Sequence, residues 1–135
     1  MISAERELTV EFFDVDSMGI VWNGRYFDYF EIVRHALFTS AGLEYSDMYA
    51  QGFMLPIVKN KCKYIKPLRL GGRYIVKAVV TECDLLLKLS FTIRDKETDE
   101  LMTKAESVQL AVNLRGESLG MLPEPFSARL RSLDV

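Results

Sequence analysis

The chain has 135 residues, of which 49% are hydrophobic and 27% charged. That is the size and make-up of one compact domain, expected to span residues 1–135 and to bury its core without disulfides or metals. Seventeen basic residues against nineteen acidic ones give a net charge of −2, which leaves no global field for a polyanion, so nucleic acid is not an expected partner. No apolar run approaches the roughly 20 residues that span a bilayer, and the charged start Met1-Ile2-Ser3-Ala4-Glu5-Arg6-Glu7 lacks the apolar stretch of a secretory signal. The two cysteines, Cys62 and Cys83, read as reduced, small apolar side chains, and a cytoplasmic location is expected.

In chain order, Leu8, Val10 and Phe12 alternate with Thr9 and Glu11, which predicts a strand buried on one face. From Tyr26 the residues Tyr29, Phe30, Val33, Leu37 and Ala41 follow helical spacing, and Phe27, Ile32 and Phe38 widen the apolar stripe. Such a helix must be wrapped by other structure, and Gly42 supplies its stop. A short amphipathic turn is expected over residues 45–51. After Pro56, Val58, Cys62 and Tyr64 share one strand face and Lys59, Lys61 and Lys63 the other, up to Pro67. The Gly71-Gly72 turn opens a strand from Tyr74 to Glu82, and Leu85, Leu87, Leu89, Phe91 and Ile93 alternate through the next. Residues 95–100 read as a hairpin loop, Val108, Leu110, Val112 and Leu114 as a long fifth strand, and Pro123, Phe126, Leu130 and Leu133 as a terminal helical turn. One strand, one long helix and four further strands joined by short turns predict an α+β fold: an antiparallel sheet of five strands curved around the helix.

Between the first strand and the helix lies Phe12-Phe13-Asp14-Val15-Asp16-Ser17-Met18-Gly19-Ile20-Val21-Trp22-Asn23-Gly24-Arg25-Tyr26. The first N–H groups of a helix have no intrahelical partner and carry partial positive charge, so they can hold a developing oxyanion. A carboxylate beside them supplies a general base or nucleophile, and the combination suits acyl transfer. The plain alternative is that Asp14 and Asp16 bond their own backbone as ordinary turn residues, and spacing does not separate the two readings.

The run from Asp14 to Trp22, followed by Tyr26-Phe27-Asp28-Tyr29-Phe30-Glu31 and Arg34, resembles the signature of the 4-hydroxybenzoyl-CoA thioesterase family of hotdog proteins, in particular its small bacterial acyl-CoA thioesterases. The similarity continues through Pro56-Ile57-Val58, Tyr64-Ile65-Lys66-Pro67-Leu68 and Gly72 and so covers almost the whole chain. The resemblance implies a hotdog fold and hydrolysis of an acyl-CoA to a carboxylic acid and free coenzyme A. It places the catalytic carboxylate on Asp16 and the oxyanion donor on the backbone N–H of Asn23. Gly19, Ile20, Val21, Trp22, Arg25 and Tyr26 would line the substrate. It implies no metal and no cofactor beyond the coenzyme A of the substrate, and a homodimer or dimer of dimers. An acyl-thioester-binding hotdog without hydrolysis, and a thioesterase acting on acyl carrier protein, are the alternatives.

Two departures stand out. Where such proteins carry His-x-Asn before the tyrosine, this chain has Asn23-Gly24-Arg25, which removes a helper imidazole. Arg25 either pairs with Asp16 and lowers its pKa or binds an acidic group on the ligand. The residues around 84–88 match the family's nucleotide-holding positions poorly. Lys59 and Lys61, with Lys63, would meet the phosphates of coenzyme A, although alternate lysines also protect exposed strands from aggregation. The sole histidine, His35, reads as structural, and no Gly-x-Ser-x-Gly elbow is present.

Overall fold

The computed structural model describes residues 2–132. In chain order the elements are β1 (Ser3–Thr9), a 3-10 turn (Phe12–Asp14), α1 (Arg25–Ser40), α2 (Tyr45–Ala50), β2 (Phe53–Met54), β3 (Ile57–Tyr64), β4 (Arg73–Cys83), β5 (Leu87–Asp95), β6 (Leu101–Gln109), β7 (Val112–Asn113) and α3 (Glu124–Ser132). Five strands form one antiparallel sheet in the order β1-β4-β5-β6-β3. The expected α+β architecture is therefore the observed one. Among the described residues no helix is long and apolar enough to cross a membrane.

The 3.6-residue spacing of α1 buries Tyr26, Tyr29, Phe30, Val33 and Leu37 on its inner face, while Phe38 packs on Tyr45 of α2 and Phe126 of α3. Opposite them stand the inward residues of β4 and β5, where strict alternation buries Tyr74, Val76, Ala78 and Val80, then Leu87, Leu89, Phe91 and Ile93. Phe30 meets Phe91 at 4.8 Å between ring centroids. Gly42, at φ +69°, ends α1 as its position predicts, because a Cβ there would be strained. Phe27 and Ile32, expected to widen the buried stripe, are exposed in the single chain.

Three expectations are corrected. The first strand ends at Thr9, before Phe12, because its neighbour β4 begins at Arg73 and only the Gly71-Gly72 turn lies opposite Val10. Phe12 then enters the 3-10 turn and points outward, 79% exposed. The long fifth strand is β6, which starts at Leu101; the chain breaks after Gln109, and Val112 pairs instead with Met54 in a separate two-stranded sheet. Its inward positions Thr103, Ala105 and Ser107 are small or polar, so they carry no apolar alternation. Finally, β3 and β4 follow one another in sequence but are not neighbours, since β3 lies on the far edge beside β6. Residues 65–72 make the crossover. The terminal helix is present, while Leu133, expected to belong to it, lies outside the described residues.

Candidate active site

The turn between β1 and α1 is built on backbone bonds. Val15 and Val21 face each other across it as an isolated antiparallel bridge, and Asp16 N–H donates to the Ile20 carbonyl at 2.9 Å. Gly19 sits at φ +74°, where L side chains are disfavoured, which lets the chain reverse tightly. The crossover supplies the other wall. Ile20 bridges to Arg69, Val21 N–H donates to the Leu68 carbonyl at 3.0 Å and Leu70 N–H to the Gly19 carbonyl at 3.0 Å. Residues 68–70 thus position the turn from a distant part of the chain, and nothing but the resemblance through Pro67-Leu68 signalled them in the sequence.

Within this frame Asp16 is exposed. Its Oδ1 accepts the Met18 N–H at 2.9 Å and the Ile20 N–H at 3.3 Å. One oxygen therefore performs the turn-forming role, while Oδ2 has no hydrogen-bond partner among the described residues. Asn23 lies just before the helix, whose N-cap is Gly24. Its N–H finds no acceptor among the described residues, whereas its carbonyl accepts the Tyr26 N–H at 3.4 Å and is approached by the Tyr64 hydroxyl at 3.4 Å. Burial pushes the Tyr64 hydroxyl up to about 12, so it stays protonated at neutral pH.

Arg25 does not pair with Asp16. Its Nε donates to Asp14 Oδ1 at 2.6 Å and its Nη1 to Asp28 Oδ2 at 2.9 Å. Asp14 is only 2% exposed, and its Oδ2 accepts the Glu11 N–H at 2.9 Å. Nearby, the Tyr29 hydroxyl faces this pair without completing a hydrogen bond, and burial followed by the Asp14 charge raises it above the ordinary tyrosine range. Val21 and Tyr26, expected to line substrate, are 2% and 1% exposed. Val21 is turned into the core by its bond to Leu68, and Tyr26 packs edge-on against Tyr64 while its hydroxyl accepts the Leu68 N–H at 3.4 Å. Their side chains support the site from behind. Gly19, Ile20 and Trp22 remain at its surface.

The Trp22 indole lies over Gly24, where an added Cβ would stand 2.0 Å from Trp22 Cζ3. The Gly24 backbone, at φ −67° and ψ −24°, accepts alanine without strain. Gly24→Ala is therefore expected to displace the ring rather than the helix, with a red-shifted and more readily quenched tryptophan emission. An unchanged spectrum would place the indole elsewhere. The chain has a single tryptophan, so the signal is unambiguous.

Lys59, Lys61 and Lys63 are exposed on the outer side of edge strand β3, away from the helix. Lys63 stands directly opposite Lys104 on β6, and Lys61, Lys63, Ser90, Lys104 and Glu106 line a shallow concavity of about 480 Å³. Among the described residues no group of three or more His, Cys, Asp or Glu side chains is arranged to hold a metal ion.

A five-stranded antiparallel sheet wrapped on a long helix, with the aspartate turn at the helix start, is a hotdog. The Synechocystis protein Slr0204, a 1,4-dihydroxy-2-naphthoyl-CoA thioesterase, has the same fold, with a TM-score of 0.88 at 20% identity over 98% of each chain. The sequence profile of the Thioesterase-like superfamily matches residues 10–130, and the chain belongs to that superfamily. Bacillus subtilis YneP, provisionally named an acyl-CoA thioesterase, is 36% identical over 54% of this chain and 53% of its own length. The Arabidopsis thaliana acyl-acyl carrier protein thioesterase ATL3 is 32% identical over 57% of this chain and 40% of its own. The matched part thus spans about half or less of these two relatives.

Proposed function

We propose that the protein is an acyl-CoA thioester hydrolase whose working groups are the Asp16 carboxylate and the Asn23 N–H. The observation that carries this reading is their placement in the one loop between β1 and α1. A carboxylate oxygen and a helix-start N–H, neither with a partner among the described residues, lie a few residues apart in a member of the Thioesterase-like superfamily. Asp16 takes a proton from water as its oxygen adds to the thioester carbonyl carbon, or adds itself and is later released by water. The carbonyl oxygen becomes an oxyanion held by the Asn23 N–H and the positive end of α1. Collapse breaks the C–S bond; the thiolate leaves as coenzyme A and takes up a proton. With no imidazole at position 23, proton handling rests on Asp16.

The finer assignment to the 4-hydroxybenzoyl-CoA thioesterase family rests on the Asp14-to-Trp22 motif. A homodimer or dimer of dimers fits the exposed apolar surface around the turn, where Phe12, Phe13, Met18, Trp22 and Leu70 are each more than half exposed.

The test is free-thiol release from a panel of aromatic and aliphatic acyl-CoAs. Turnover of at least one at kcat/KM of about 10⁴ M⁻¹s⁻¹ or more is expected. Binding of acyl-CoA without thiol release would favour the non-hydrolytic reading. Acyl carrier protein is the second carrier to try, because the lysine cluster of Lys61, Lys63 and Lys104 suits an acidic surface as well as it suits the phosphates of coenzyme A. Competition by free coenzyme A separates the two carriers.

A further inference from the structure

We infer that Arg25 is a positioning residue: its ion pair with buried Asp14 clasps shut the loop 15–24 that carries both Asp16 and the Asn23 N–H. The two ends of the clasp flank that loop. Asp14 precedes Asp16 by two residues, and Arg25 comes two after Asn23, so the 2.6 Å contact between Arg25 Nε and Asp14 Oδ1 fixes the base and the oxyanion donor relative to each other.

Everything around the pair holds it in place. Asp14 is buried, and among the described residues its carboxylate is hydrogen-bonded only by Arg25 and the Glu11 N–H. Arg25 is braced on its other side by Asp28 at 2.9 Å. Its guanidinium carbon lies 5.8 Å from the Phe13 ring centroid and 5.9 Å from that of Tyr29, within reach of favourable cation–ring contact. Swinging Arg25 out to a ligand would leave a buried carboxylate without a counter-charge, facing only the Glu11 N–H and the neutral Tyr29 hydroxyl, which is strongly unfavourable. Arg25 is therefore committed inward. Within the loop the Val15–Val21 bridge and the bonds to residues 68–70 fix the middle of the turn, but Trp22, Asn23 and Gly24 lie beyond those bonds; the Tyr64 hydroxyl reaches the Asn23 carbonyl from β3, and the Arg25 and Tyr26 N–H groups hold the Trp22 and Asn23 carbonyls from the C-terminal side. Arg25 stands on that side, and the clasp anchors it. Misplacing a reacting group by about 1 Å costs on the order of 10²-fold in rate, so a clasp acting through Asp16 and Asn23 belongs in kcat rather than in substrate binding.

The kinetic arm rests on the hydrolase reading, whereas the spectroscopic arm does not. Arg25→Met, Arg25→Lys, Asp14→Asn and the Asp14→Asn/Arg25→Met double variant are compared with wild type. Expected are a fall in kcat of about 10- to 100-fold in Arg25→Met with KM within about twofold, partial recovery in Arg25→Lys, and a double variant no worse than the poorer single, as for two residues acting as one unit. Acrylamide quenching of Trp22 should rise in Arg25→Met and fall back toward wild type in Arg25→Lys. A rise in KM at constant kcat overturns the proposal, because Arg25 would then be holding ligand. So do additive losses in the double variant, or Trp22 quenching identical in wild type and both Arg25 variants. Should wild type hydrolyse no thioester, the hydrolase reading falls, and Trp22 quenching alone decides the clasp. Arg25→Lys keeps a charge at the position and so remains readable if the methionine variant does not fold.

Discussion

Asp16→Asn is expected to lower kcat for acyl-CoA hydrolysis by about 10²- to 10⁴-fold while KM changes little, the range associated with loss of a positioned general base. The substitution is close to isosteric. Asparagine keeps a carbonyl oxygen where Oδ1 accepts the Met18 and Ile20 N–H groups, so the turn and the thermal stability should survive. What disappears is the basic second oxygen, which has no hydrogen-bond partner among the described residues. A structural role for Asp16 predicts the opposite pattern, with Asn tolerated and activity intact, since the turn needs only an acceptor at Oδ1. The measurement is thiol release at saturating and sub-saturating substrate, with the melting temperature as control. Equal kcat in the two proteins would return Asp16 to the role of a turn residue and move the base elsewhere.

How far the sequence could be read depends on which residues carry a periodic signal. Helix α1 and strands β4 and β5 were legible because their inward positions are large and apolar, at a spacing of 3.6 for Tyr26, Phe30, Val33 and Leu37 and of 2 for Leu87, Leu89, Phe91 and Ile93. Strand β6 was not, because Thr103 and Ser107 occupy its inward positions and Ser107 is there to receive Arg34, a contact local sequence does not announce. The crossover at residues 65–72 was hidden for a related reason. A short connection suggests neighbouring strands, and only long-range bonds to Gly19 and Val21 show that this one crosses the sheet to wall the site. Within the site, the motif marked Asp16, Trp22 and Asn23 at the surface, yet it could not distinguish them from Val21 and Tyr26, whose side chains turn inward. Arg25 was noticed as a departure, but its partner Asp14 emerged only from the fold, since the 3-10 turn at Phe12–Asp14 carries that carboxylate inward.

The buried arginine of α1 gives a second large effect, on stability. Arg34 is 2% exposed; it forms an ion pair with Glu31, donates to Ser107 Oγ at 2.8 Å and lies over the Phe91 ring with its guanidinium carbon 5.4 Å from the centroid, while its Nε has no partner among the described residues. Glu31 is half exposed and also accepts the Tyr45 hydroxyl at 3.0 Å, which ties α2 to α1. The pair is thus unequal in its access to water, and its two halves should not cost the same to remove. Glu31→Ala strands a desolvated guanidinium on one hydroxyl and an aromatic face; a loss of about 2–3 kcal/mol is expected, below the upper range for breaking a buried pair because Glu31 itself is partly solvated. Arg34→Met fills much of the same volume, returns Glu31 to water and leaves Ser107 as the one unsatisfied group, for a cost of about 1 kcal/mol. At this chain length each kcal/mol moves the melting temperature by roughly 4 °C. Glu31→Ala should therefore melt about 10 °C below wild type and well below Arg34→Met, in thermal or urea unfolding. If Arg34→Met proves the less stable of the two, the packing of Arg34 across Phe91 outweighs the isolated charge, and the arginine is held by its shape rather than by its partner.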